Sequence, residues 1–247
     1  MNRCEHPIEF QSDDLTLKGV LHLPDRESAP LVIGSHGLEG TKESAKQRSL
    51  SRILPQNGMA FFRFDHRGCG SSQGDFLTQT TLEKRATDFL CALDAVMETK
   101  LTGKDLCIFG SSMGGSTCIQ AWENILKRDV RLKGAVLCSA PVRSRTIENI
   151  PIEPTDTRGA LPVSFFRDNL MFDILDKADQ LHHVLIFHGD RDDVVPVKNA
   201  HDLYGRTQDP KKMIIQKNGD HQMTHRPDQI QFEQEAVRWF STCFKLE

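Results

Sequence analysis

From about residue 30 onward, short apolar runs alternate with longer segments of helical period: LVIGS (31–35), MAFFRF (59–64), DLCIF (105–109), GAVLCS (134–139) and VLIFH (184–188). Runs this short and this continuously apolar suit strands buried on both faces, as in parallel sheets whose crossover connections lay helices over each side. The intervening segments, Glu43–Gln56, Leu82–Glu98, Met113–Lys127, Lys198–Tyr204 and Gln229–Phe244, supply those helices. In the second, Leu82, Ala86, Phe89, Leu90, Leu93 and Val96 recur at spacings of three and four, which aligns one apolar stripe. The alternation predicts an α/β fold with a mostly parallel sheet.

Two segments break the rhythm. Ile8–Phe10 and Leu15–Leu23 alternate apolar with polar residues, the pattern of an antiparallel hairpin with one solvated face. Residues 141–180 carry Pro141, Pro151, Pro154 and Pro162 and no clear strand, and they read as an insertion lying over the edge of the sheet. A last strand, Met213–Gln216, follows Pro210. No linker of Pro, Gly or Ser divides the chain, so residues 1–247 read as a single domain carrying the insertion at about 141–180.

Composition narrows the class of function. With 31 Lys and Arg against 34 Asp and Glu, the net charge of -3 argues against a dedicated nucleic-acid binder. No run reaches the 18 or so apolar residues of a membrane span. The opening MNRCEHPIEFQSDD lacks the apolar stretch of a secretory signal, which predicts a cytoplasmic protein. Seven cysteines, with no C-x-x-C pair, read as reduced and mostly buried thiols rather than a disulfide framework or zinc site.

Gly-x-Ser-x-Gly occurs at residues 70–74 and 110–114. A nucleophile elbow needs a strand directly before and a helix directly after, because the turn holds serine in a strained conformation. Only the second copy, between DLCIF and GSTCIQAWENIL, has that context. Ser112 is therefore the expected nucleophile and Ser72 a loop residue. The Met113 N–H at the helix start is one expected oxyanion donor. The other is the Leu38 N–H in Ser35-His36-Gly37-Leu38-Glu39-Gly40, after the first parallel strand. A serine hydroxyl needs a base oriented by a carboxylate. His221, closing Lys217-Asn218-Gly219-Asp220-His221, is the expected base, and the cluster Asp190, Asp192 and Asp193 offers the carboxylate. His188 reads as a core histidine, and His182, His183 and His225 as surface residues. His221 and His225 lack the Glu of H-E-x-x-H, so neither a metal nor another cofactor is implied.

Taken in order, the hairpin, His36-Gly37, Asp65-His66-Arg67-Gly68-Cys69-Gly70-Ser71-Ser72, the elbow, His188-Gly189-Asp190-Arg191-Asp192-Asp193-Val194-Val195-Pro196 and Gly219-Asp220-His221 resemble an α/β-hydrolase of the esterase and serine-aminopeptidase type. The chain is most similar to small cinnamoyl (feruloyl) esterases and carboxylesterases. The resemblance implies an eight-stranded sheet with helices on both faces and a short lid at about 141–180. It also implies Asp192, four residues before the proline, as the triad acid. Phe165 and Phe166 would line an aromatic acyl pocket or else seat the lid on the core. A compact lid without tyrosine departs from typical cinnamoyl esterases. The implied reaction is hydrolysis of a small-molecule carboxylic ester through an acyl-enzyme. Amide, peptide or thioester cleavage by the same triad, or a non-catalytic binding protein on this scaffold, are the alternatives. A homodimer, through the lid or an edge strand, is compatible with the sequence and not required by it.

Overall fold

The computed structural model describes residues 4–150, 152–154 and 160–246. Eight strands, β1 (Cys4–Ser12), β2 (Leu15–Leu23), β3 (Leu31–Ser35), β4 (Ala60–Phe64), β5 (Asp105–Ser111), β6 (Arg131–Cys138), β7 (Val184–Gly189) and β8 (Lys211–Gln216), form one sheet in the order β1-β2-β4-β3-β5-β6-β7-β8. The β1–β2 and β2–β4 pairings are antiparallel, and every pairing from β4 to β8 is parallel. β1 begins before the alternating stretch: Pro7 pairs with Val20 at the sheet's edge, where a missing N–H costs no ladder bond.

Strand alternation sorts the core into two layers. Leu31, Ile33, Phe62, Phe64, Leu106 and Ile108 pack with Phe89 and Leu93 of α3 (Leu82–Thr99) and with Ile119 and Trp122 of α4 (Met113–Leu126). Val32, Phe61, Cys107, Phe109, Leu185 and Phe187 face the other way, onto Leu50 and Leu54 of α1 (Ala45–Gln56) and Phe232 and Phe240 of α7 (Arg226–Phe244). Both faces are covered, which is why these strands read as continuous apolar runs instead of alternating ones. α7 starts three residues before the apolar periodicity, because Pro227 in its first turn carries no N–H that the turn would leave unpaired. The four-residue helix α2 (Phe76–Gln79) was not foreseen, being too short for any periodicity; the Asp75 side chain caps it at Thr78 N.

The insertion takes a different place from the one expected. Within 141–180 the described residues form two 3-10 turns, Ser144–Thr146 and Leu175–Gln180, and α5 (Val163–Asn169). They stand over the carboxyl ends of the central strands and roof a cavity, whereas β1 and β8 form the edges. The carboxyl ends of β3, β5, β7 and β8 carry the loops that converge beneath this roof. α6 (Lys198–Arg206) connects β7 to β8. Among the described residues no helix is long and apolar enough to cross a membrane. Cys69, Cys91, Cys107, Cys118, Cys138 and Cys243 are free thiols; Cys4 side-chain packing lies outside the description.

Candidate active site

Between β5 and α4 the chain reverses at Ser112, which holds φ 54° and ψ −127°, a conformation costly for a residue with a Cβ. The turn closes this tightly because Gly114 has no side chain: a Cβ there would come within 2.1 Å of the Ser35 carbonyl oxygen. β3 and the first turn of α4 thus touch, and Gly37 comes to rest beside Ser112. Met113, first residue of α4, has no intrahelical acceptor for its N–H.

Beside the elbow, the loops after β7 and β8 are tied together by Arg191 N to Gly219 O at 3.0 Å and Asn218 N to Asp190 Oδ1 at 2.6 Å. This sets His221 between two partners, with Nε2 3.0 Å from Ser112 Oγ and Nδ1 2.9 and 2.8 Å from Asp192 Oδ1 and Oδ2. Asp192 Oδ1 also accepts from Val194 N at 3.0 Å and Val195 N at 2.7 Å, fixing the carboxylate. Burial opposes its ionisation, but hydrogen bonds from His188 and His221 outweigh that and hold its carboxyl well below the usual range. Asp190 caps the β8 loop, the Asp193 carbonyl accepts from Asn149, and both residues are exposed where Asp192 is buried.

His188 is buried, and its Nε2 donates to Val195 O at 2.7 Å while lying 3.3 Å from Asp192 Oδ2. The core histidine is thus also a neighbour of the carboxylate, a contact made by the turn of residues 189–192, which sequence periodicity does not describe. His182 and His183, expected at the surface, are half-buried, with His182 edge-on to Trp122; His225 is exposed. Ser72, in the other Gly-x-Ser-x-Gly, donates to Asp65 O and accepts from Lys18 N, holding its loop to β2.

The loop after β3 is braced from below. Gly37 O accepts from His36 Nδ1 at 2.7 Å, from Gly40 N at 3.2 Å and from buried Arg85 Nη2 at 3.3 Å. In a trans peptide the N–H opposes the C=O, so this turns the Leu38 N–H away from Arg85. His36 Nε2 accepts from His66 N at 3.1 Å, which leaves its proton on Nδ1. His66 lies under the loop, Nε2 2.9 Å from Ser35 Oγ and Nδ1 3.4 Å from Asp88 Oδ2. Asp88 is buried and takes three hydrogen bonds from Arg67 and one from Ser12. None of this bracing was legible beforehand, since Arg85 and Asp88 sit on a helix whose apolar stripe was its only signal.

Burial and the Arg85 charge pull His66 from 6.5 down to about 4. The unfolded chain therefore binds a proton that the folded chain refuses between those values, so stability rises with pH through that window and is lost as pH falls. The difference amounts to about 3 kcal/mol at pH 4. In urea titrations from pH 7 to pH 4, His66→Asn should flatten the decline; an unchanged slope would show that His66 does not cause it. The low-pH titration of Asp88 falls below this window.

The cavity over Ser112 measures about 700 Å³. His36, Gly37, Leu38, Ser112, Met113 and His221 form its floor, and Phe166, Leu170, Met171 and Phe172 part of its roof. Phe165 does not line it. That ring turns the other way, buried 5.3 Å from Phe76 of α2, so it seats the insertion on the core.

Residues 26–159 match the family model described as serine aminopeptidase, S33. The Escherichia coli (strain K12) protein YfhR is 25% identical over 201 residues, 80% of this chain and 65% of that protein's length. The mitochondrial palmitoyl-protein thioesterase ABHD10 of Mus musculus is 26% identical over 220 residues, 81% of this chain and 71% of that protein. Among solved structures, Est1E from Butyrivibrio proteoclasticus with ferulic acid bound superposes with a TM-score of 0.79 at 26% identity, covering 95% of this chain and 98% of that one. A Pyrococcus furiosus esterase at 17% identity shares the fold, with a TM-score of 0.80 over 98% of this chain and 92% of its own.

Proposed function

Because the chain belongs to the serine aminopeptidase S33 family of α/β-hydrolases, we propose that it is a serine hydrolase acting on carboxylic esters of small or medium acyl groups. Ser112 Oγ attacks the ester carbonyl as His221 Nε2 takes its proton. Asp192 holds the imidazole with its proton on Nδ1 and stabilises the imidazolium that forms. The N–H groups of Leu38 and Met113 bind the oxyanion, helped by the positive end of α4. His221 then returns the proton to the leaving alcohol. Water, activated by the same imidazole, releases the acid from the acyl-enzyme.

The observation that carries this reading is the continuous chain from Ser112 Oγ through both His221 nitrogens to Asp192, with links of 3.0 and 2.8 Å, on a serine at positive φ. Acyl chains would lie against Phe166, Leu170 and Phe172. Thioester hydrolysis is the second reading, favoured by the likeness to palmitoyl-protein thioesterase ABHD10. The protein is read as a cytoplasmic single domain.

A panel of p-nitrophenyl esters from C2 to C16, one feruloyl ester, one acyl thioester and one aminoacyl amide tests the reading. Turnover is expected to be highest for a C2 to C8 ester and lowest for the amide. A maximum on the thioester would move the assignment to the second reading, and turnover of the amide alone would overturn both.

A further inference from the structure

The cavity has two walls of different chemistry. Beneath the insertion it is apolar. On the opposite side it is lined by the first turn of α1, including Ser44, Lys46 and Gln47. Ser44 is the N-cap of α1 but makes no capping hydrogen bond: its Oγ donates to Thr41 O at 2.7 Å and accepts from Thr41 N at 3.1 Å. Among the described residues, the first-turn N–H groups of this twelve-residue helix are thus left without a side-chain acceptor.

Gln47 is only 1% exposed, and among the described residues neither its Nε2 nor its Oε1 has a hydrogen-bond partner. Buried side-chain amides almost always find one. Room for this amide comes from Gly34 on β3, where a Cβ would stand 2.2 Å from Gln47 Oε1. Lys46 is next to it in the chain. Its Nζ donates to the carbonyl of Gln222, the residue after His221, at 2.9 Å, and it forms no ion pair with a described residue. The acidic groups whose charges reach it, Asp192 and Asp220, are bonded to His221 and Thr224. Burial draws the Lys46 ammonium below its ordinary value, and the side chain is only partly exposed, so an anion placed beside it would be screened less than on an open surface. Glu39 stands on the exposed rim.

We propose that this wall is a carboxylate subsite, and that the preferred substrates are esters bearing a second, ionised carboxylate. That carboxylate accepts hydrogen bonds from Lys46 Nζ, Gln47 Nε2 and the open first turn of α1 while the ester carbonyl lies at Ser112. Lys46 reaches the main chain one residue from His221, so the spacer between the two groups is a few carbons long. The proposal rests on the reading of Ser112 as nucleophile.

Two matched pairs of esters test it. In one, mono-p-nitrophenyl glutarate is compared with p-nitrophenyl pentanoate, placing the charge on the acyl arm. In the other, 4-acetoxybenzoate is compared with 4-methylphenyl acetate, placing it on the leaving arm. In at least one pair kcat/KM should favour the carboxylate about tenfold or more, chiefly through KM. Lys46→Met and Gln47→Leu should each shrink that ratio at least fivefold, and Lys46→Arg should keep most of it. Ratios near one in both pairs, or ratios that persist in the variants, would overturn the subsite, as would an equal fall on charged and neutral esters. A measurement independent of turnover separates this from the nucleophile assignment. Glutarate should bind Ser112→Ala protein calorimetrically and bind the Ser112→Ala, Lys46→Met double variant at least tenfold more weakly. Absence of glutarate binding in both proteins refutes the subsite, whatever the ester assays return.

Discussion

Ser112→Ala is expected to lower p-nitrophenyl ester turnover by about 10⁶-fold and to abolish labelling by a fluorophosphonate probe. The size follows from how the proposed machinery works as a unit. His221 has no proton to take without the hydroxyl, and Asp192 has no imidazolium to stabilise, so removing the nucleophile removes the effect of all three residues together. What survives is positioning and the two backbone N–H groups, which bind an oxyanion but cannot form the covalent intermediate. The substitution removes one oxygen and leaves the fold untouched, since among the described residues Ser112 Oγ bonds only to His221. A positive φ at residue 112 strains alanine no more than serine. The thermal midpoint should therefore stay within a few degrees. Retained turnover at a tenth of the original rate or more would mean that another group is the nucleophile, and retained labelling would identify it by mass spectrometry.

The sheet was legible because its strands are buried on both faces. Val32, Cys107 and Phe109 on one side and Ile33 and Ile108 on the other leave no polar interruption, so apolar runs and strand limits nearly coincide. Residues 110–114 were legible for a different reason: strand, Gly-x-Ser-x-Gly and helix occur without a gap, and only glycine fits where Gly114 meets the Ser35 carbonyl. The insertion was not. Pro141 to Gln180 has no period, and its position depends on contacts such as Phe165 with Phe76, made between two short helices. For the same reason Phe165 and Phe166, adjacent in sequence, separate into a packing residue and a cavity residue. The α1 wall stayed hidden because Lys46 and Gln47 look like ordinary surface residues of an amphipathic helix. Only the packing of the first turn of α1 against Gly34 and the His221 loop turns them inward.

Asp192→Asn is expected to lower kcat by about 10⁴-fold with a far smaller change in KM, whereas Asp190→Asn should cost less than tenfold. The carboxylate accepts from His221 Nδ1 through both oxygens. An amide in its place presents one NH₂ group, and either it donates to Nδ1, stabilising the tautomer that puts the proton on Nε2, or it takes the Oδ1 position and forfeits both the Val194 and Val195 amide bonds. With the proton on Nε2, the imidazole cannot accept one from Ser112. His188 cannot compensate, because its Nε2 lies between Val195 O and residue 192 and an imidazole carries no negative charge to replace the one removed. Asp190 has no such partner: it caps Asn218 N, and its loss loosens the β8 loop without altering the imidazole's charge. The test is steady-state kinetics of both variants on one ester across pH 5 to 9. Partial recovery of the Asp192→Asn rate at high pH is expected, where hydroxide can take the serine proton directly. The reverse ranking of the two aspartates would transfer the orienting role to Asp190 and require the β7 loop to rearrange before catalysis.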